Sequence, residues 1–500
     1  MAPLPLRSGA YTAQSLLVSA QRCVNLYPEA SPENVSPNLP VAHYPRPGLP
    51  LLAQPSAPGR GRGLYRATNG DLFAVIDQSV YFISSDFTFT LLGQLLTSST
   101  NPVSMADNGT AAIIVDGTAQ GFQIQLNGHA MTQIVDVNFL GSTRADFLDS
   151  FLILNKPGTK QWYSTISGQL AFNALFVGVK TAWPDNVLAT VAIEREVWVF
   201  GPQKTEVWYN AGTVPFPFQL LAGNIIEQGC AAQFSPAKID TSVYWLSQAP
   251  EGDRMVMRGN SQNIAQRIST HAIEVEMRKY PRVDDAIGST YQISGHSFYK
   301  LHFPTADKTW GYDEITQQWH EDNAIDANGV LHRAHNTFNA FAYGKNVVLD
   351  WANGNLYQID PFSFTDNGAP IAWIRSYPHI VNELKLVSHR EFTADVETGM
   401  SVGTSETATL QSPWNRGFSS GFGPIIKVEA PQLAMRYSKD GGHTFSNNRI
   451  KQLVSSGHYR TMQRFRSMGV ARDMVYEVAS TAQMISAVHG AYVDPLSGSA

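Results

Sequence analysis

Charge is what this sequence has least of. Asp, Glu, Lys and Arg make up 15% of its 500 residues, against about 25% in typical soluble domains. Fewer ions to strip of water means a smaller desolvation cost for extensive protein–protein contact. A low-charge secreted enzyme would show the same composition. The formal net charge is −5 and the pI about 6.2. Gripping nucleic acid by its backbone takes a dense Lys/Arg surface, because counterion release supplies that affinity; any contact with DNA is therefore expected to be weak or purely geometric. Cysteine is nearly absent. Cys23 and Cys230 stand far apart, which excludes a disulfide scaffold and a zinc site. No run approaches the roughly 20 apolar residues of a membrane span, so no stable membrane insertion is expected. The start, Met1-Ala2-Pro3-Leu4-Pro5-Leu6-Arg7, lacks the charged-then-apolar order of a signal peptide, and the chain reads as made in a reducing cytoplasm.

What is present is β structure. Apolar residues reach 43%, and short apolar runs recur at 72–76, 112–115, 151–154, 197–200, 243–246, 297–301 and 346–349. Their spacing of roughly 40–55 residues is that of propeller blades of about four strands. Turn steps such as Asn69-Gly70, Asn127-Gly128, Asn328-Gly329 and Asn353-Gly354 supply the positive φ that tight hairpins need. The expected fold class is all-β: a β-propeller of six or seven blades over 62–380, with an extended N-terminal arm at 1–61 and a C-terminal β-sandwich-like domain at 385–500. The arm is rich in proline (Pro3, Pro5, Pro28, Pro32, Pro37, Pro40, Pro45, Pro47, Pro50, Pro55 and Pro58), which blocks helix interiors and central strands; Leu26, Tyr27 and Tyr44 would anchor it. One short helix is expected before Pro281. Period-two alternation at 390–396, 433–437, 460–466 and 474–478 fits half-buried antiparallel strands.

Candidate sites are few. Ser438, Asp440, Gly441, Gly442, Thr444 and Phe445 form an Asp-box-like turn, in which the aspartate accepts turn amides and the glycines allow left-handed angles. Sialidases repeat this box around a propeller; here it stands once, outside the repeats, without a legible arginine cluster, acid and tyrosine. His332 and His335 lack the helix and glutamate of a metalloprotease motif, and residues three apart on a strand face opposite sides. Asp284-Asp285 and Glu321-Asp322 read as acidic turns. Gly59-Arg60-Gly61-Arg62-Gly63 lacks the Lys-Ser/Thr of a phosphate loop and reads as a flexible entry to the first blade. Arg460, Arg464 and Arg466 share a strand face, interleaved with Met462 and Met468, and mark a subunit contact. No catalytic, cofactor or metal residues are assigned.

Three stretches resemble a known family. The arm has Gly9-Ala10-Tyr11-Thr12-Ala13, Gln21-Arg22-Cys23-Val24-Asn25-Leu26-Tyr27-Pro28-Glu29 and Tyr44-Pro45-Arg46-Pro47-Gly48-Leu49. The repeats have Arg62-Gly63-Leu64-Tyr65, Thr205-Glu206-Val207-Trp208-Tyr209-Asn210 and Gln266-Arg267-Ile268-Ser269-Thr270-His271. The C-terminal part has 435–445, Gly469-Val470-Ala471-Arg472-Asp473 and Gly490-Ala491-Tyr492-Val493-Asp494. In family order, these resemble the packaged-DNA stabilisation proteins of short-tailed bacteriophages, also called tail hub or nozzle proteins. Ser467-Met468-Gly469 departs from the family pattern of a basic residue and Leu before the Gly. The resemblance implies a non-enzymatic virion tail protein, made in the bacterial host's cytoplasm. It implies a homohexamer beneath the portal-adaptor protein that closes the channel after packaging, offers attachment to tailspike, tail fibre or needle proteins, and passes double-stranded DNA without sequence specificity and without cofactors. A mildly acidic wall suits a conduit from which phosphates must slide. The competing readings are a propeller-based glycan hydrolase or lyase, which would need a carboxylate pair, and a carbohydrate-binding virion protein, which would need an exposed aromatic platform.

Overall fold

The computed structural model describes residues 2–6, 8–30, 41–97, 100–249, 251–260, 262, 264–383, 385–401, 431–453 and 460–497. The apolar runs become the second strands of seven four-stranded blades: Leu72–Ile76, Ala111–Val115, Phe151–Asn155, Glu196–Phe200, Ser242–Gln248, His296–Phe303 and Lys345–Leu349. These strands are almost wholly buried. Each blade packs its two faces on its neighbours, so a strand inside the blade meets side chains on both sides and can be apolar throughout. The first strands of successive blades lie side by side, from Gly61–Arg66 round to Phe338–Ala342, which packs back on Gly61–Arg66. Between the fourth and fifth blades, Lys238 Nζ bonds Ala192 O at 3.1 Å.

The last blade takes its outer strand from the arm: Leu51–Ala53 pairs with Leu356–Gln358. The chain then enters the first blade through Gly61, where an added Cβ would sit 2.3 Å from Asp350 O. The 59–63 segment is thus not a flexible entry. Gly61–Arg66 is a strand, and its first glycine is required by the close approach of a neighbouring backbone.

Blade six does not end at its fourth strand. Gln318–Glu321 pairs in parallel with Cys23–Val24 of the arm. Cys23–Val24 pairs with Trp373–Ser376, and the sheet runs on through Asp473–Ser480 and Gln432–Ser438 to Arg449–Gln452. A second sheet has Val387–Ser401 between Arg460–Ala471 and Met484–Ser497, and the arm strands Ala2–Pro5, Val41–Pro45 and Leu26–Ala30 extend its far side. Both sheets therefore contain arm strands, and sheet pairing crosses residues 61 and 380.

The two sheets face each other across Phe392, Val396, Met435, Tyr476 and Val478, each fully buried, with the Phe392 and Tyr476 rings stacked at 4.4 Å. This core runs without a break into Tyr244, Tyr299 and Trp319 of blades five and six. Burying each large side chain contributes about 1.5–3 kcal/mol, so the shared core couples the C-terminal sheets to the propeller. The one α-helix among the described residues, His271–Arg278, buries Ile273 and Met277 against this cluster. Its Glu274 accepts from Ser269 Oγ at 2.6 Å and Arg267 Nε at 2.6 Å.

Candidate functional site: the arm clasp and the basic edge

Asn25 holds the arm. It sits between two arm strands at φ 53°, a left-handed conformation that Asn tolerates better than other non-glycine residues, and the kink turns one strand into the propeller sheet and the next into the second sheet. All its polar groups are used. Its N–H donates to Glu321 O at 2.8 Å and its C=O accepts from Arg46 N at 3.0 Å. Oδ1 accepts from Arg46 Nε at 2.9 Å and Asn323 N at 2.8 Å, while Nδ2 donates to Asn323 O at 3.0 Å and Ala372 O at 2.7 Å. Arg46 in turn forks onto Asp366, at 3.0 and 2.5 Å. A second cation, Arg375, donates to the carbonyls of Ser8 at 2.6 Å and Arg22 at 3.0 Å. The clasp thus ties residues 8–46 to the segments leaving blades six and seven.

Beneath the clasp lies a buried ionic group. Lys300 Nζ is 2.5 Å from Asp322 Oδ2 and 2.7 Å from His320 Nε2, and all three are at most 1% exposed. Burial pushes the Asp322 carboxyl up, but Lys300, His320 and Arg46 outweigh it and hold it near 2. Burial, with Lys300 second, pushes His320 down to about 3, so the ring is neutral. Sequence reasoning missed this group and the clasp, because their members are spread from 25 to 366. Glu321 ends a strand and Asp322 is buried, so that pair is no acidic turn. Glu321 pairs with Lys308 at 2.7 Å. Asp284 takes Arg282 at 2.6 Å, and Asp285 accepts the Thr305 hydroxyl at 2.6 Å.

The Asp-box-like residues lie in the loop between Gln432–Ser438 and Arg449–Gln452. Asp440 accepts from Ser438 Oγ at 2.6 Å, Thr444 N at 2.8 Å and Thr444 Oγ1 at 2.6 Å. Burial raises its carboxyl, and those donors outweigh it, holding it near 2. Gly441 and Gly442 have φ 72° and 97°. Cβ atoms there would lie 2.3 Å from Leu17 and 2.7 Å from Ala20, so the turn is a seat for the arm hairpin Tyr11–Thr12/Ala20–Gln21. Phe445 is half-buried under the Arg436 guanidinium, 4.3 Å from its ring centre.

Arg460, Arg464 and Arg466 project from Arg460–Ala471, the outermost strand of the second sheet. They are 48%, 57% and 70% exposed, and each pairs with a carboxylate of the next strand: Arg460 with Asp395, Arg464 and Arg466 with Glu391. Met462 shares their exposed face. Met468 does not: Ser467 bulges at φ 63°, the register shifts opposite it, and Met468 turns inward. The neighbouring edge strand adds Arg449, whose Nη2 donates to Ser467 O at 3.1 Å.

His332 pairs with Asp307 at 2.7 Å and His335 with Asp350 at 3.1 Å. Among the described residues no group of three or more His, Cys, Asp or Glu side chains is placed to hold a metal ion, and no helix is long and apolar enough to cross a membrane. Cys23 and Cys230 are both buried and unpaired.

A family model described as Phage_stabilise, Bacteriophage P22 Gp10, β-propeller, matches residues 2–363. The chain belongs to that family. It is a phage packaged-DNA stabilisation protein built on a β-propeller, and so a structural component of a virion. No curated protein matches the chain. Solved structures similar to it include BamB from Moraxella catarrhalis, 10% identical, with 63% of this chain and 99% of that one covered at a TM-score of 0.38. A chain of a mitotic checkpoint complex is also 10% identical, with 60% and 89% covered at a TM-score of 0.39.

Proposed function

We propose that this family member is a tail hub, or nozzle, protein that works by shape. Six copies form a tube below the portal-adaptor ring, close the DNA exit channel once packaging ends, and present attachment points for tailspikes, fibres or a needle. The observation that carries the reading is the family match over residues 2–363. Two features support it. The clasp and shared core make arm, propeller and C-terminal sheets one stiff unit, which a load-bearing plug under DNA pressure requires. The edge strand with Arg460, Met462, Arg464 and Arg466 offers a partly basic, partly apolar surface on a molecule that is acidic overall, suited to an acidic surface of the next subunit. DNA in the lumen is contained rather than gripped, and the lumen wall is poor in Lys and Arg.

Electron microscopy of the purified protein, alone and mixed with the portal–adaptor complex, tests the assembly. Six-fold rings capping the adaptor are expected. Monomers that fail to bind the adaptor in any condition, or a lumen lined mainly by Lys and Arg, contradict the proposal.

A further inference from the structure

We infer that Arg333, Arg60 and Trp351 form a binding site for a small phosphate-type oxyanion at the junction of the seventh and first blades. Four arginines are 4% exposed or less: Arg46, Arg62, Arg333 and Arg375. Three have their guanidinium groups occupied. Arg46 holds Asp366, Arg62 donates to Asn101 O at 2.7 Å and Asp77 O at 2.8 Å, and Arg375 holds arm carbonyls. Arg333 differs. Its guanidinium makes no hydrogen bond or ion pair with a described residue, and Nη1 is wholly buried without a partner. What it does make is a stacking contact, with its central carbon 3.4 Å from the Trp351 ring centre. Trp351 Nε1 is itself a buried donor without an acceptor.

Arg60 brings a second free cation. Its N–H donates to Asp77 Oδ1 at 3.0 Å, Gly59 N–H donates to Asn353 O at 3.2 Å, and Gly61 packs on Asp350 O. Its backbone is thereby pinned against the loop that carries Trp351. Its side chain makes no ion pair with a described residue. Burial, and next the positive charge of Arg60, push the Arg333 guanidinium down to about 10. Of the three nearby carboxylates, every oxygen but Asp285 Oδ1 is engaged. Asp307 takes His332 and the Arg333 N–H at 2.9 Å, Asp350 takes Ala352 N at 2.8 Å, and Asp285 takes Thr305. Two guanidinium groups that pair with no described carboxylate, one stacked on an indole whose N–H lacks an acceptor, leave donors of one charge sign unmatched. A tetrahedral oxyanion satisfies that set, since a planar guanidinium fork matches two of its oxygens. The competing occupant is water, bridging Arg333 to the unpartnered Oδ1 of Asp285.

This site is independent of the tail-hub reading. Calorimetric titration of the full chain with inorganic phosphate, against sodium chloride at matched ionic strength, tests it. Saturable phosphate binding is expected, weakened about tenfold or more in R60Q and R333Q and severalfold in W351F, which keeps the stacking face and loses the N–H. Arg60 is half-exposed and its backbone holds the loop, so R60Q keeps the test open if R333Q fails to fold. No heat beyond that of chloride, which is the result for a water-filled site, or equal affinity in wild type and R60Q, overturns the inference.

Discussion

Arg46 donates its Nε to Asn25 Oδ1 at 2.9 Å, so two arm residues grip each other while each also holds the body, Asn25 through Asn323 and Ala372, Arg46 through Asp366. Removing Arg46 leaves Asp366, 8% exposed, as a buried carboxylate without its cation. Breaking such a pair from one side costs about 3–5 kcal/mol. R46M is expected to bring proteolytic cleavage within residues 8–46 at protease levels that spare the wild type. In R46M/D366N, which removes the stranded charge, part of the protection returns.

Deleting residues 2–56 removes the outer strand of blade seven, the strand that joins blade six to the C-terminal sheets, and three strands of the second sheet. Loss of cooperative thermal unfolding and recovery in aggregates are expected, because exposed sheet edges pair with other chains. A truncated chain that melts at the wild-type temperature would contradict the arm's structural role.

Acid destabilises this protein through its buried histidines. Burial first, with neighbouring cations second, holds His43, His302 and His320 near 3, against 6.5 for a free ring. The folded state keeps these rings neutral while the unfolded chain protonates below 6.5. Their stability contribution is full above that value and is lost as pH falls towards 3. At pH 5 each ring costs ~2 kcal/mol relative to neutral pH. His296, raised by the hydrogen bond it donates to Asp313, and His335, which burial lowers but Asp350 raises further, work in the opposite sense; they favour the fold below 6.5 and lose that contribution as pH rises through their raised values. His389 is lowered too, by burial and then Lys439; four depressed rings outweigh two raised ones, so a lower Tm at pH 5 than at pH 7 is expected by calorimetry. H302Q, whose amide can meet Ser289 and Thr309, is expected to shrink the difference.

Asp440 organises its turn for the sake of the arm hairpin that rests on Gly441 and Gly442. D440A hands the exposed Thr444 N–H to water and loses about 0.5–1.5 kcal/mol locally. Faster amide exchange is expected at 438–446 and at 11–21 together, with the blades unchanged. Faster exchange at the turn alone would separate the two.

Arg464 and Arg466 are exposed and share Glu391, whereas Arg460 holds the buried Asp395, so R464Q/R466Q is expected to keep the wild-type Tm within about 2 °C. Under the tail-hub reading the same variant fails to form rings on the adaptor, measured by sedimentation. Assembly at wild-type yield would move the subunit contact elsewhere.

The propeller was legible because a blade's second strand is buried on both sides: each of the seven apolar runs, from 72–76 to 346–349, turned out to be one. They left the blade count at six or seven, and the structure has seven. The C-terminal alternation at 433–437 and 460–466 matched strands with one face in the core, whereas 392–396 and 474–478 are buried on both faces. The clasp was not legible. Cys23–Val24 is two residues long, too short for any period, and its partners lie about 300 and 350 positions away, at Glu321 and Ile374. Met468 was misplaced for a related reason: period-two reading carries through a strand, and a bulge at a serine leaves no signal in the alternation. Arg333 was invisible because its isolation is a property of what surrounds it, not of its neighbours in sequence.

Virions assembled without this protein give the most direct test of the central claim. The account predicts that heads of a phage carrying a nonsense mutation in this chain package DNA and then lose it, so that purified particles are empty and non-infectious, and that added wild-type protein restores retention. Full, infectious particles lacking the protein would contradict it.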